Sequence, residues 1–373
     1  MLAALVPAAI GCNEVPEATT HWVAPLGVGR APIARQVPNG FMVVAGVTSP
    51  EEGIQMTRLT LSGEEVSSKR FAASVDDAVY AIDKQGNVAI VARGLDLSSC
   101  HLVSAKDDEF GLMLVGPDGV CLDGDRMSQA EVGVPVAAEP GGAGGVLLLS
   151  RSGEGATAMA HLEERHSHQQ IWHVDVEGVP HAMGVSDWGD LVISYTAPNK
   201  ENWVRRYESR QFVGEYQSPQ NTLFTHVAAS KGSSLLAGSE DGAPILVLLG
   251  YNMNVDWERR PLSGSDALVE PVSLVAGPEL TVAFAVSGDD ATVFDSTIPA
   301  GHTGVFDLAY DFGTPTPRTV IPSTRLTMVR PVYDDQVLIA GSLEPTPLTD
   351  PGAMSSGLDH PSGVYGALLL TNE

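Results

Sequence analysis

The stretch Val37-Pro38-Asn39-Gly40-Phe41-Met42-Val43-Val44-Ala45-Gly46 reads as a tight turn, a short apolar strand and a closing glycine. The same phrase recurs down the chain. It returns as Lys84-Gln85-Gly86-Asn87-Val88-Ala89-Ile90-Val91 and as Gly144-Gly145-Val146-Leu147-Leu148-Leu149. Further copies are Trp188-Gly189-Asp190-Leu191-Val192-Ile193 and Lys231-Gly232-Ser233-Ser234-Leu235-Leu236. The last two are Gly277-Pro278-Glu279-Leu280-Thr281-Val282 and Asp334-Asp335-Gln336-Val337-Leu338-Ile339. With strand starts at 41, 88, 146, 191, 235, 280 and 337, the steps are 47, 58, 45, 44, 45 and 57 residues. A period of ~40–50 residues built from short strands is the pattern of a β-propeller. The sequence therefore predicts an all-β, seven-bladed propeller.

Each repeat follows one plan. An inner strand A leads through a Gly/Asn/Asp turn into the apolar strand B, and strands C and D follow as a hairpin. Strand B is apolar at nearly every position, as expected for a strand covered on both sides. Strand D carries charge, as in Ser67-Ser68-Lys69-Arg70-Phe71, which suits an outer edge. The blades fall near residues 31–74, 75–130, 131–178, 179–220, 221–264, 265–323 and 324–373. The last has no strand D of its own, because only Thr371-Asn372-Glu373 follow its strand C, Gly363–Leu370. A spare strand, His21–Leu26, precedes the first repeat. Pairing the two closes the ring and removes an open edge, so the propeller domain is read as 21–373 and residues 13–20 as a tether.

Composition bounds the function. The chain has 373 residues, a hydrophobic fraction of 43% and a formal charge of −25. It can bury a large core. A strongly acidic surface repels phosphate backbones, so a nucleic-acid partner is not expected. No apolar window after the N-terminus is long enough for a spanning helix.

Two resemblances add to this reading. Met1-Leu2-Ala3-Ala4-Leu5-Val6-Pro7-Ala8-Ala9-Ile10-Gly11-Cys12 is an apolar run ending in small residues, as in an export signal. Ala9-Ile10-Gly11-Cys12 resembles a bacterial lipobox, with Ala9 where that motif usually carries Leu and no Lys or Arg before Arg30. The resemblance implies a signal peptide over 1–12, lipidation of Cys12 and, with Asn13 following, an outer-membrane lipoprotein on the periplasmic side or the cell surface. Elsewhere, strand B, a loop and a hairpin ending in Trp are similar to the propeller repeats of secreted bacterial surface proteins. The matching pieces are Asp83-Lys84-Gln85-Gly86-Asn87-Val88, Gln170-Ile171-Trp172-His173 and Val255-Asp256-Trp257-Glu258-Arg259-Arg260. That group implies a fold and an export route, not an activity. Of the three cysteines, Cys100 and Cys121 remain as either a disulfide or two separate thiols.

Enzyme signatures are absent from the sequence: no Gly-x-Ser-x-Gly elbow, no His-Glu-x-x-His zinc helix, no phosphate-binding glycine loop. The cluster His161, His166, His168 and His173 matches no metal spacing and reads as a polar hairpin. Acidic loops such as Asp123-Gly124-Asp125 and Ser287-Gly288-Asp289-Asp290 suggest calcium, but none completes a calcium loop, and no cofactor is expected. Topology points further. The B–C connections and the starts of the A strands share one face, the loop face; the A–B and C–D turns share the other, the turn face. The long insertions 94–109, 287–303 and 342–362 are all B–C connections. They place His101, Asp107, Asp108, Asp295, His302, Asp350, Asp359 and His360 on the loop face, beside His181, His226 and Glu270 on inner strands. Long loops on a rigid scaffold are where binding concentrates. The expected role is a monomeric binding or scaffolding module at the envelope, with a protein or glycan ligand. The alternative is a hydrolase or lyase acting on a polysaccharide or small ester through loop-face carboxylates and histidines.

Overall fold

The apolar phrases become the buried second strand of each sheet. In the computed structural model every residue of Gly40–Val47 is buried, as are all but the last of Val88–Arg93 and Leu191–Thr196. The matching outer strands, such as Gln211–Gln217, are largely exposed. This gradient follows from the alternation of apolar and charged strands in sequence. Glycine makes the first turn close: a Cβ at Gly40, whose φ is +155°, would lie 1.9 Å from the Leu59 carbonyl oxygen. The structure describes residues 13–14, 19–48, 51–166, 169–186, 188–263, 267–276, 280–308, 315–322, 325–333, 336–342 and 363–370. Cys12, Asp350, Asp359 and His360 therefore lie outside the described residues.

The ring has six blades, not the seven expected from the repeats. Five are four-stranded antiparallel sheets in simple sequence order, and the sixth is a single seven-stranded sheet. The cause is one strand. Thr19–Val37 runs on for 19 residues. Its first half pairs with Gly363–Leu370, from Thr19 opposite Leu370 to Val28 opposite Gly363. Its second half pairs with Gly40–Val47. The first and last repeats are thereby hydrogen-bonded into one blade through a shared strand. Register breaks between Thr20 and Trp22, Pro25 and Gly27, and Arg30 and Ile33 let that strand bend as it crosses. The N-terminal strand thus closes the ring against the last one.

Inner strands of successive repeats lie against one another around the ring. Blade-to-blade contacts are apolar. One cluster joins Met42, Val44 and Ile54 of the first repeat to Val88, Ile90 and Met113 of the second. Another joins Leu235 and Leu246 to Val282, Phe284 and Phe306. A small accessory sheet is built from Asn13–Glu14, Ser296–Ile298, Ala291–Val293 and Leu262–Ser263. Helix among the described residues is confined to Gln129–Val132, N-capped by Ser128, and three single 3-10 turns.

Candidate functional site

Of the long insertions, 94–109 and 287–303 pack against the ring, and 343–362 lies outside the described residues. Residues 94–108 fold down along the second repeat. Leu95 and Leu97 are fully buried against Met113 and the first-repeat core. Cys100 is bonded to Cys121 at the far end of strand D, with 5.3 Å between the Cα atoms. Asp96 braces the descent by accepting from Ser98 N at 2.9 Å and Ser104 Oγ at 2.7 Å. These bonds, with that from the Ser98 hydroxyl, hold its carboxyl below the usual range. His101, Asp107 and Asp108 are left exposed on this flank. The second insertion forms the hairpin Ala291–Val293 and Ser296–Ile298, whose Ala291, Val293 and Ile298 are buried against the sixth repeat. Asp295 sits exposed in its left-handed turn. His302 bonds through Nδ1 to the Ala300 carbonyl at 3.0 Å.

His181 and His226 are half-buried on inner strands. His181 Nε2 lies 2.6 Å from Thr196 Oγ1, and His226 Nδ1 lies 3.0 Å from Thr225 Oγ1. Desolvation lowers both pKa values, helped at His181 by the nearby Arg151 charge and opposed at His226 by the Val272 backbone. Each ring is thereby favoured neutral. Glu270 is exposed on strand A of the sixth repeat. Among the described residues, no hydrogen bond or ion pair joins any two of these loop-face candidates. His181, His226 and His302 each bond to a near neighbour instead.

A more organised surface lies on the opposite, turn face, in the fourth and fifth repeats. Trp188 is 72% exposed and Tyr251 57% exposed. Lys231 Nζ lies over the Trp188 ring, 5.1 Å from its centre. Gly232, next in the same turn, faces the Tyr251 ring: a Cβ added there would lie 3.8 Å from it. Local chemistry holds both aromatic rings out. Ser186 Oγ accepts from Trp188 N at 3.2 Å and Asp190 N at 3.0 Å, and Ser186 N donates to the Asp190 carbonyl. That fixes the turn that presents Trp188. In the other turn Met253 is 3% exposed and left-handed, and its N–H donates to the Gly250 carbonyl. Burying Met253 leaves Tyr251 on the outside.

Beneath them is Arg206, the largest fully buried side chain. Its Nη2 donates to Asp190 Oδ2 at 3.1 Å and Glu208 Oε1 at 2.6 Å. Its guanidinium lies 5.7 Å from the Tyr251 ring centre. The Asp190 bond ties this cation back to the turn carrying Trp188. The two carboxylates offset the buried charge at Nη2, while Nε and Nη1 are buried with no hydrogen-bond partner among the described residues. Sequence reading missed this surface. Trp188 enters the sequence reading only as part of a repeat phrase, and Tyr251 does not enter it.

The histidine cluster divides. His161, His173 and Asp175 come together on the outer strands of the third repeat, each offering a ligand atom within 4.8 Å of the others. His166 instead lines a hollow between the second and third repeats, with Asp83, Asn87 and Pro140. His168 lies outside the described residues.

No family model matches the chain, and no curated protein matches it. Solved structures do. The C-terminal WD40 domain of Sif2 is 10% identical, with 97% of this chain and 100% of that one covered at a TM-score of 0.50. A structure titled "YCF48 bound to D1 peptide" is 11% identical, covering 98% and 100%, also at 0.50. The periplasmic gluconolactonase PpgL of Pseudomonas aeruginosa is 12% identical, covering 80% and 91%, again at 0.50. At these identities the likeness is one of fold, that of the β-propeller.

Proposed function

We propose that the protein is a non-catalytic binding module that holds a protein partner on the turn face of its fourth and fifth repeats. The observation that carries this reading is the exposed pair Trp188 and Tyr251, the first beneath Lys231 and the second beside Gly232 of the same connecting turn, on two internally bonded turns. Large aromatics are enriched at interfaces and dominate their energetics. Rings already held in place lose little freedom on binding, which leaves more of the contact energy as affinity. The test is site-specific photocrosslinking from position 231 in the cells that make the protein. A discrete adduct that disappears in Trp188→Ala and Tyr251→Ala supports the reading. Adducts only from a probe at His302, on the opposite face, overturn it.

We place this module at a bacterial envelope, anchored through Cys12. A disulfide between Cys100 and Cys121 belongs to an oxidising compartment, and the Ala9–Cys12 stretch resembles a lipobox. Palmitate labelling in a bacterial host should be lost in Cys12→Ala; equal labelling of both proteins would remove the anchor.

A second reading, ester hydrolysis, has one observation in its favour. Ser152 Oγ lies 2.6 Å from His161 Nε2, and His161 Nδ1 lies 2.6 Å from Asp175 Oδ1. That is the nucleophile, base and orienting-acid order of a serine hydrolase. Binding remains preferred because the three residues lie on three neighbouring strands of a single sheet, with Ser152 at the end of the second strand, and His173 claims the same carboxylate oxygen. Fluorophosphonate labelling that vanishes in Ser152→Ala is the result hydrolysis requires.

A further inference from the structure

We infer that His161, His173 and Asp175 form a binding site for a divalent transition-metal ion, zinc above all, on the outer strands of the third repeat. This site is separate from the turn face and does not depend on it. Its geometry comes from sheet register. His173 and Asp175 are two apart on Gln169–Glu177, so both point to one face. His161, on Met159–His166, stands directly opposite Asp175. A register break between Glu164 and Arg165 sets that pairing: Glu164 faces Trp172 while Arg165 faces Gln170. Ile171 is the extra residue. Counting back from the hairpin without it would place Val174 opposite His161 and turn the carboxylate to the other side.

Both imidazoles address one oxygen. His161 Nδ1 is 2.6 Å and His173 Nε2 is 2.8 Å from Asp175 Oδ1. The two rings are stacked, 6.0 Å between centres and 18° between planes. Two imidazole nitrogens and a carboxylate are a borderline donor set that suits zinc, copper or nickel, whereas calcium and magnesium prefer oxygen alone. Ligand bonds of ~2.0–2.2 Å put donors of a tetrahedral ion roughly 3.3 Å apart. The two His–Asp pairs need to open by only about 0.5–0.7 Å to admit it, and the two imidazole nitrogens, which lie within 4.8 Å of each other, settle to the same spacing. His173 and Asp175 are more than a third exposed, so both can move and solvent can complete the coordination.

The surroundings fit as well. Ser152 Oγ lies 2.6 Å from His161 Nε2. With metal on Nδ1, the ring proton sits on Nε2 and donates to that hydroxyl, which fixes ring orientation. Behind His173, Glu163 is buried and accepts from Arg165 Nε at 3.0 Å and Gln170 Nε2 at 2.7 Å. Arg165 is held in turn by Asp125 and Glu131. Gln170 also meets His173 Nδ1 at 3.3 Å. The ligands therefore stand on a rigid polar frame.

The experiment is calorimetric titration of the tag-free full chain with Zn²⁺ alone, repeated with Ca²⁺ and Mg²⁺. One zinc per chain is expected, with much weaker binding of the other two ions. His161→Ala, His173→Ala and Asp175→Asn should each weaken zinc by at least about 10-fold, and Ser152→Ala by about the same as an outer-shell change. His302→Ala, on another repeat, should leave affinity unchanged. Circular dichroism and melting of each variant without metal confirm folding, and His161→Gln replaces any variant that fails. Zinc binding unaltered in all three ligand variants, zinc no tighter than calcium, or no zinc binding by the folded wild type would each overturn the site.

Discussion

Glu139 shows how far a single side chain can be moved by its place in the ring. It stands near the end of the third repeat's inner strand, Val134–Pro140, where Arg35 and Arg330 of the first and last repeats reach it electrostatically. Burial outweighs both cations and pushes its pKa up from 4.5 to about 7. The unfolded carboxyl gives up its proton near 4.5 while the folded one keeps it. Stability should therefore fall as pH rises from about 4.5 to about 7, with the loss complete above that. Glu139→Gln should leave melting at pH 5 nearly unchanged and raise it by roughly 2–4 °C at pH 8. Melting curves at the two pH values check this; an equal shift at both would mean the carboxyl is not the titrating group. Nothing in the sequence marks Glu139, because its setting depends on residues about 100 and 190 positions away. Gly40 is the opposite case. Its Asn-Gly context announces a turn, and the Leu59 carbonyl leaves no space for a Cβ.

Elements were legible where the signal is local. Strands and turns are patterns over a few residues, and the predicted strand starts at 88, 146, 191 and 280 coincide with those of Val88–Arg93, Val146–Ser152, Leu191–Thr196 and Leu280–Ser287. What bends a loop is not local. The 94–109 segment reads as a long insertion projecting from the loop face, yet Leu95, Leu97 and Leu102 draw it onto the sheet beneath. The same distinction explains the histidines: a bulge at Ile171, invisible in composition, decides that His161 meets Asp175. The descent of the loop makes a prediction. Its disulfide closes a loop of 21 residues, worth roughly 3 kcal/mol in chain entropy. Replacing both cysteines, Cys100→Ser with Cys121→Ser, should lower the melting temperature by about 5 °C or more. Limited proteolysis should then cut first between residues 94 and 108. A double variant as stable and as resistant as wild type would mean that the buried leucines hold the loop unaided.

At the scale of the molecule, seven repeats in sequence become six blades because one strand serves two of them. Repeat counting cannot reveal this, since it weighs each phrase separately and does not see that Thr19–Val37 runs without a break from the last repeat into the first. The arrangement has an energetic purpose. Ending the sheet at Gly363–Leu370 would leave a row of backbone donors and acceptors facing water and any passing strand. The first half of Thr19–Val37 covers that row over its whole length. It also makes closure a long-range contact, between residues near opposite ends of the chain, which forms late and carries no local reward. Removing residues 13–28 keeps every turn, every B strand and the pairing that begins at Gly29 with Val47, and deletes the cover together with the Asn13–Glu14 edge of the accessory sheet. The truncated protein should melt several degrees lower and form concentration-dependent aggregates, because its seven-stranded sheet is now two sheets with a bare edge. Melting by circular dichroism, with light scattering at two protein concentrations, measures both effects. If neither changes, the last strand holds its place without the N-terminal one, and the ring is closed by side-chain packing instead of backbone pairing.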